Sequence, residues 1–240
     1  MTSVVFPCFN EQRRIPPTLV RTVEFLAGRG RPWEVIVVDD GSEDRTSGVV
    51  REGFGARENV RVLRYETNHG KGFAVREGVL AARGELVLFS DADLSTPIEE
   101  LAKFEARAAD GFDVVVASRV IDGARILTPQ PVLRRLSGLA FRALVRGLAL
   151  SSLHDTQCGF KLLRRATVEP VLRAIETEGF AFDVELLARA ERAGLRLAEV
   201  PVDWSDARGS KVRLCPDALH MAADLVRLRR RLGARSAAPA

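Results

Sequence analysis

The run Glu85-Leu86-Val87-Leu88-Phe89-Ser90-Asp91-Ala92-Asp93-Leu94 decides how the chain is read. Leu86 to Phe89 are apolar without a polar break, the pattern of a strand buried on both faces of a parallel sheet. The run then stops at two carboxylates one residue apart. In an open α/β sheet the carboxyl ends of the strands line the ligand crevice, which places Asp91 and Asp93 at a site. Two readings of the pair stay open at this point. Asp and Ser are common turn formers, so the pair can be an acidic turn. Alternatively, two hard oxygen donors suit Mg²⁺ or Mn²⁺ shared with the phosphates of a substrate.

Outward from this stretch the same grammar repeats. Ser3-Val4-Val5-Phe6 reads as a first strand ended by Pro7 and followed by Cys8-Phe9-Asn10-Glu11. Pro16 and Pro17 suit a helix start, with Thr18 to Ala27 as its body. Glu34 to Val38 is a second buried strand, ending at Asp39-Asp40-Gly41-Ser42, and a helix follows through Thr46 to Val50. Val60 to Tyr65 alternates like a strand with one exposed face. It leads to Asn68-His69-Gly70-Lys71-Gly72 and a helix to about Arg83, stopped by Gly84. Past the central strand, Thr96 reads as an N-cap, Pro97 as the first helical residue and Glu99 as the closing residue of a capping box. Phe112 to Ala117 is a further strand, ending at Ser118-Arg119. Strictly alternating strands and helices predict right-handed crossovers and a mainly parallel sheet with helices on both faces.

After Arg119 the texture changes. Ile126 to Pro131 reads as loop. Val132 to Leu150 reads as a helix with Leu133, Leu136, Leu139, Ala140, Ala143 and Leu148 at helical spacing, and Arg135, Arg142 and Arg146 on another side. Such a helix either packs its apolar side on the core or lies on a membrane surface. Asp155-Thr156-Gln157-Cys158-Gly159-Phe160-Lys161 precedes a strand-like Leu162-Leu163, and Phe182-Asp183-Val184-Glu185 opens a helix ending near Gly194. Leu197 to Trp204 reads as one last strand. Pro216 starts a final amphipathic helix to about Leu232, with Arg227, Arg230 and Arg231 opposite its apolar side, and Gly233 to Ala240 reads as a frayed tail. The expected organisation is one domain over residues 1–215 followed by a basic helix and tail over 216–240.

Composition excludes some classes. With 240 residues, 46% hydrophobic and 28% charged, the chain is long enough for one α/β domain with a large core. The net charge is +4 and aromatics are only 6%, with no aromatic-basic stripe, so no nucleic acid partner is expected. Cys8, Cys158 and Cys215 are widely spaced and odd in number, which fits neither a zinc site nor a disulfide framework and suits a reducing cytosol. No signal peptide is expected, and no apolar run is long enough to span a bilayer.

Asn10-Glu11, Asp39-Asp40, Lys71, Asp91, Asp93 and Arg119 all follow strands, so in a parallel sheet they share one rim. Carboxylates for a metal, cations for phosphate, and Asp39 or Asp40 to accept from a base N–H or a ribose hydroxyl describe a nucleotide-diphosphate site. There is no G-x-x-x-x-G-K-[ST], which rules out a P-loop, and no G-x-G-x-x-G after the first strand, which argues against a dinucleotide fold.

Taken together, Val4-Val5-Phe6-Pro7…Asn10-Glu11, Val37 to Ser42, Asn68 to Gly72 and Asp91-Ala92-Asp93 resemble the inverting GT-A glycosyltransferases of family two. Asp155 to Lys161 and Phe182 to Glu185 resemble the dolichyl-phosphate β-glucosyltransferase branch, with polyprenyl-phosphate mannose synthase as a close cousin. The resemblance implies a GT-A, Rossmann-like fold and transfer of a hexose from a nucleotide sugar, UDP-glucose, to a polyprenyl phosphate. It implies that Pro7, Asn10, Glu11 and Asp39 hold the nucleoside, with Asp40, Lys71 and Ala92 completing the nucleotide-sugar site. Asp91 would contact the nucleotide and share the metal, Mg²⁺ or Mn²⁺, with Asp93, while Arg119 and Lys211 would face phosphates. Where some mannose synthases place a further metal-binding Gln, this chain has Ser95. Asp155 is a general base, a residue that orients Lys161, Arg119 or the acceptor, or a capping or turn Asp; a phosphate monoester acceptor, with a second pKa of about 6, hardly needs a base. The implied setting is the cytoplasmic face of a membrane, held peripherally. The alternatives are a GDP-mannose-dependent polyprenyl-phosphate transferase, a family-two transferase acting on a soluble alcohol, and a nucleotide-sugar-binding module without activity.

Overall fold

The computed structural model describes residues 1–148, 151–207 and 216–236. The first half alternates without exception: β1 (Thr2–Cys8), α1 (Ile15–Ala27), β2 (Trp33–Asp40), α2 (Thr46–Phe54), β3 (Val60–Tyr65), α3 (Lys71–Ala81), β4 (Leu86–Ser90), α4 (Leu101–Ala109) and β5 (Val114–Ser118). The second half is less regular: β6 (Arg125–Thr128), α5 (Val132–Gly147), β7 (Phe160–Arg164), α6 (Arg165–Arg173), α7 (Phe182–Arg192), β8 (Leu197–Pro201), β9 (Asp203–Ser205) and α8 (Pro216–Ser236).

The main sheet has seven strands in the order β3-β2-β1-β4-β7-β5-β8. All its pairings are parallel except those of β7, which runs antiparallel to β4 and β5. Consecutive side chains of the buried strands go to opposite faces. Val35, Val37 and Leu88 join a core with α1, α2 and α4. Ile36, Val38, Val87 and Phe89 join a core with α3, α6 and α7 on the other face. That double burial is why these strands read as unbroken apolar runs.

Strand order reverses between β1 and β4, the geometry that opens a crevice beyond the carboxyl ends of two adjacent parallel strands. Because β7 is antiparallel, its start lies at this same rim. The segment 155–159, which precedes β7, is thereby brought to the crevice: Phe160 pairs with Ser90, and Asp91 N–H donates to the Gly159 carbonyl at 2.9 Å.

Several local expectations change. Thr96 does not cap a helix, because Pro97 is extended (ψ 141°) and itself takes the N-cap place of a 3-10 turn, Ile98–Glu100, that leads into α4. Residues 125–128 are not loop but strand β6, paired with β9. The run from Leu197 to Trp204 is two strands, broken after Pro201: β8 edges the main sheet and β9 leaves it for β6. Helix α8 continues through Gly233 to Ser236, past the expected start of the tail.

The larger correction concerns α5. A core-packed apolar side is not what forms in its first half: Val132, Leu133, Leu136 and Leu139 are 74%, 64%, 56% and 48% exposed. Among the described residues of this segment, only Phe141, Leu144, Val145 and Leu148 reach the third apolar cluster, against Ala181 before α7, Val184 and Ala188 of α7 and Leu225, Leu228 and Leu232 of α8. The helix is longer than the bed that α7 and α8 offer it. Among the described residues, no helix is long and apolar enough to cross a membrane.

Candidate active site

A cavity of about 1380 Å³ opens at the β1–β4 reversal. Pro7, Glu11, Asp40, Lys71, Asp91, Ala92, Asp93, Arg119 and Asp155 all line it. Asn10 and Asp39 are not among the residues that line it. Lys211 lies outside the described residues.

The loops after β1 and β2 are tied to each other. Asn10, in the left-handed region at φ 55°, accepts at Oδ1 from the Glu43 and Asp44 N–H groups, and its own N–H donates to Ser42 Oγ. Buried Asp39 accepts from the Ser42 N–H at 3.0 Å and from the Ser47 hydroxyl, with Arg64 at 3.4 Å. Asp40 accepts from the His69 and Gly70 N–H groups and from Asn68 Nδ2, fixing the approach to α3. Burial holds the Asp40 carboxyl above its ordinary value in spite of those bonds.

Lys71, the first residue of α3, places Nζ 2.6 Å from Asp91 Oδ1. Burial pulls its ammonium down, but the charges of Asp91 and Asp183 outweigh that and hold it above the ordinary lysine range. Two glycines make the arrangement possible. A Cβ on Gly159 would run into the Asp91 carboxylate, and one on Gly72 would meet Phe182 Cβ and the Thr177 carbonyl. Gly72 N–H donates to the Glu178 carbonyl at 2.6 Å, so the α3 start is held by the loop before α7.

Asp93 sits in a tight turn. Leu94 is at φ 46°, an uncommon conformation for a bulky side chain and a form of strain that collects at functional sites. Ser95 N–H donates to Asp93 Oδ1 at 3.0 Å. Burial first, and the neighbouring Asp91 charge second, raise the Asp93 carboxyl above its usual range. Two close carboxylates that burden one another are relieved by a cation. Among the described residues no group of three or more His, Cys, Asp or Glu forms a self-sufficient cage. A pair fits Mg²⁺ or Mn²⁺ nonetheless, since such ions are commonly held by one or two carboxylates with substrate phosphates and water completing the shell.

On the far side, Arg119 is clamped to Asp155 by Nε–Oδ2 and Nη2–Oδ1 bonds of 2.7 and 2.8 Å. Its guanidinium lies 5.4 Å from the Trp204 ring centroid, a cation–π contact supplied by β9. The Asp155 charge holds Arg119 above its ordinary value against burial, and Arg119 in turn holds the buried Asp155 carboxyl below its ordinary value. Glu199 of β8 accepts from the His154 and Asp155 N–H groups at 2.9 Å each, fixing the loop. Arg142 of α5 lines the cavity and makes no ion pair among the described residues. Burial lowers its value, and repulsion from Arg119 and Arg146 adds to that against the pull of Asp155.

The sequence reading did not assign Arg14, Phe141, Arg142 or Asp183 to the cavity, and it left Trp204, which does line it, between core and pocket wall. Arg14 sits two residues after the Asn10-Glu11-Gln12 stretch and belongs to no motif of its own. Lys161 and Asp183 were visible in motifs, but their buried 2.5 Å ion pair beneath the site was not. Cys158 is packed and free, its thiol pushed up to about 11 by burial, which suits a structural residue and not a nucleophile.

Comparison with known proteins agrees with this geometry. The sequence profile described as "Glycosyl transferase family 2" matches residues 3–172. Dolichyl-phosphate beta-glucosyltransferase of Saccharomyces cerevisiae is 36% identical over 245 residues, covering 95% of this chain and 73% of its own. The Drosophila melanogaster protein of the same name is 38% identical over 239 residues, covering 93% and 72%. Among solved structures, glucosyl-3-phosphoglycerate synthase of Mycobacterium tuberculosis superposes with a TM-score of 0.71 at 20% identity, covering 100% of this chain and 82% of that one. The same enzyme in complex with Mn²⁺, UDP-glucose and phosphoglyceric acid gives 0.68 at 21% identity, covering 100% and 81%. The fold is thus of the GT-A kind, and with most of its length matched, the chain belongs to glycosyl transferase family 2.

Proposed function

We propose that this chain transfers glucose from UDP-glucose to a polyprenyl phosphate of the dolichyl type, with inversion at the anomeric carbon. The observation that carries the acceptor assignment is the state of Asp155. Both of its oxygens are engaged by Arg119, and the backbone N–H groups of Arg119 and Gln157 add bonds of 3.1 and 3.3 Å. A carboxylate offers about four lone-pair sites, and these four contacts use them. Asp155 is therefore a positioning residue for Arg119 and not a proton acceptor. An alcohol acceptor needs a base; a phosphate monoester is already an anionic nucleophile near neutral pH. Arg119 and Arg142, which makes no ion pair among the described residues, give that anion its electrostatic partner.

In this reading Asp91 and Asp93 hold a divalent ion, which supplies charge neutralisation for the departing diphosphate. Lys71, released from Asp91 or shared with it, faces the same phosphates. The Asp39-Asp40 and Asn10-Glu11 loops form the nucleoside end, and Asp183 and Gly179 border the sugar. The names of the relatives support the glucosyl and dolichyl-phosphate assignment. The exposed apolar start of α5, with Val120, Ile126 and Leu127 also exposed beside the cavity mouth, supports a lipid acceptor drawn from a membrane surface.

The test is a matrix of UDP-glucose, UDP-galactose, GDP-mannose and GDP-glucose against a polyprenyl phosphate, the matching polyprenol and 3-phosphoglycerate, with the product anomer read by NMR. β-Glucosyl polyprenyl phosphate formed from UDP-glucose is the expected product. Preference for GDP-mannose, for the free alcohol or for the soluble phosphate would each overturn the corresponding half of the assignment.

A further inference from the structure

Arg14 occupies the N-cap place of α1, and no acidic residue stands in the first turn of that helix. A cation is poorly placed at a helix N-terminus, where the dipole favours anions. The side chain is instead turned to the cavity. Its Nε and Nη2 donate to Glu11 Oε2 and Oε1 at 2.6 and 2.5 Å, so one edge of the guanidinium fork is locked. The opposite edge, Nη1, stands 3.8 Å from Asp93 Oδ2, close enough for strong Coulomb attraction and too far for a hydrogen bond. Burial pulls the Arg14 charge down, and Glu11, Asp93 and Asp91 more than restore it. A guanidinium has five N–H donors, and Glu11 uses only those on one edge. Glu11 lines the cavity, but its carboxylate is committed to Arg14.

We propose that Arg14 is a second cation of the metal–diphosphate centre: before nucleotide binds it opposes the divalent ion at Asp93, and with sugar nucleotide present its Nη1 edge takes an oxygen of the leaving diphosphate. Glu11 is the positioning residue that aims it. The assignment rests on the nucleotide-sugar reading of the cavity. It adds a fixed guanidinium to the charge that neutralises the leaving diphosphate, beside an ion held by Asp91 and Asp93. Arginine suits this role through its planar fork, which lysine does not reproduce.

The test uses Arg14→Met and Arg14→Lys in the full chain, with Mn²⁺ binding followed by electron paramagnetic resonance without nucleotide, and UDP and UMP binding by calorimetry at saturating Mn²⁺. Removing the cation should tighten Mn²⁺ at least about threefold, since a unit charge beside Asp93 is lost. The same variant should bind UDP at least about tenfold more weakly, the scale of one charge-assisted contact, while UMP, which lacks the second phosphate, changes much less. Arg14→Lys should keep the wild-type Mn²⁺ affinity and lose part of the UDP affinity. Unchanged or weaker Mn²⁺ binding in Arg14→Met overturns the proposal, as does an equal loss of UDP and UMP. Should Arg14→Met fail to fold by circular dichroism, Arg14→Lys decides: a loss confined to UDP supports the assignment, and no loss overturns it. A wild-type protein that binds neither Mn²⁺ nor UDP would overturn the nucleotide-sugar reading itself, whereas wild-type binding with silent variants overturns the role of Arg14 alone.

Discussion

Arg119 and Asp155 face each other as two planar groups joined by parallel bonds of 2.7 and 2.8 Å, with the Arg119 N–H adding a third contact to the same carboxylate. The Asp155 side chain is fully buried and that of Arg119 is 18% exposed. Breaking a buried pair by removing one partner costs about 3–5 kcal/mol, because the other charge stays buried and alone. Asp155→Asn should therefore lower stability by that order at neutral pH, besides impairing turnover. The pH dependence has a definite sign. Asp155 has a folded-state value below its ordinary one, so its contribution is complete above the usual carboxylate pKa of about 4 and is lost as pH falls through the depressed value. Urea unfolding of wild type and variant should differ most near pH 7 and converge in strong acid. A free catalytic base would instead give a variant of nearly wild-type stability.

If the acceptor phosphate is its own nucleophile, the acid limb of the rate follows the acceptor and not the protein. The limb should lie near the second ionisation of a phosphate monoester, at about pH 6. A phosphonate analogue ionises at higher pH and should carry the limb upward with it. A limb that stays in place with both acceptors belongs to a protein group, and the search for a base reopens.

Asp93 has the opposite sign from Asp155. Its carboxyl is raised by burial and by the Asp91 charge, so whatever it adds to stability is present at low pH and lost as pH rises through the raised value. Asp93→Asn should leave the melting temperature unchanged or slightly higher at neutral pH. Loss of a charge-stabilising group at a transition state costs about 10²–10³ in kcat, and turnover and Mn²⁺ binding should fall together on that scale. Near wild-type turnover with Mg²⁺ would show that Asp93 is not a metal ligand.

The sequence was most informative where a contact is local or where burial is two-sided. The unbroken run before Asp91 marked β4, and the same pattern marked β2 before Asp39-Asp40, because both faces of those strands are covered. What escaped is non-local. The β6–β9 ribbon joins Arg125 to Asp203, and neither short segment has a pattern of its own. Trp204 reads as core or pocket wall, and it is both buried and at the cavity, but its meeting with Arg119 depends on that ribbon. Arg14 stands in no motif of the sequence, because nothing within its neighbourhood announces Asp93, 79 positions away, as its neighbour. For α5 the helical period was legible, yet a period does not say whether a partner exists for the apolar side, and for its first half none does among the described residues.

That unpartnered half decides how the chain would meet a membrane. If the apolar sides of the two amphipathic helices pack on the core, only arginines such as Arg146, Arg227 and Arg230 meet an anionic surface, each contributing on the order of 1 kcal/mol and weakening with salt, while Arg142 lines the cavity. Exposed Val132, Leu133, Leu136 and Leu139 add a different force. Fully burying such a side chain contributes about 1.5–3 kcal/mol, and roughly half of that surface is still available here. Four residues then match or exceed the charges, so salt should weaken binding to anionic liposomes without abolishing it. Replacing Leu133, Leu136 and Leu139 by Ser should remove the salt-resistant part. None of the three lines the cavity, whereas Arg135, Phe141 and Arg142 of the same helix do. The triple variant should therefore turn over a long-chain polyprenyl phosphate in vesicles at least about fivefold more slowly, on the scale of a lost kcal/mol or more, and a short soluble analogue at the wild-type rate. Equal losses on both acceptors would mean that α5 shapes the cavity and does not bring the lipid to it. Liposome binding that disappears entirely at high salt in the wild type would return the membrane contact to the arginines alone.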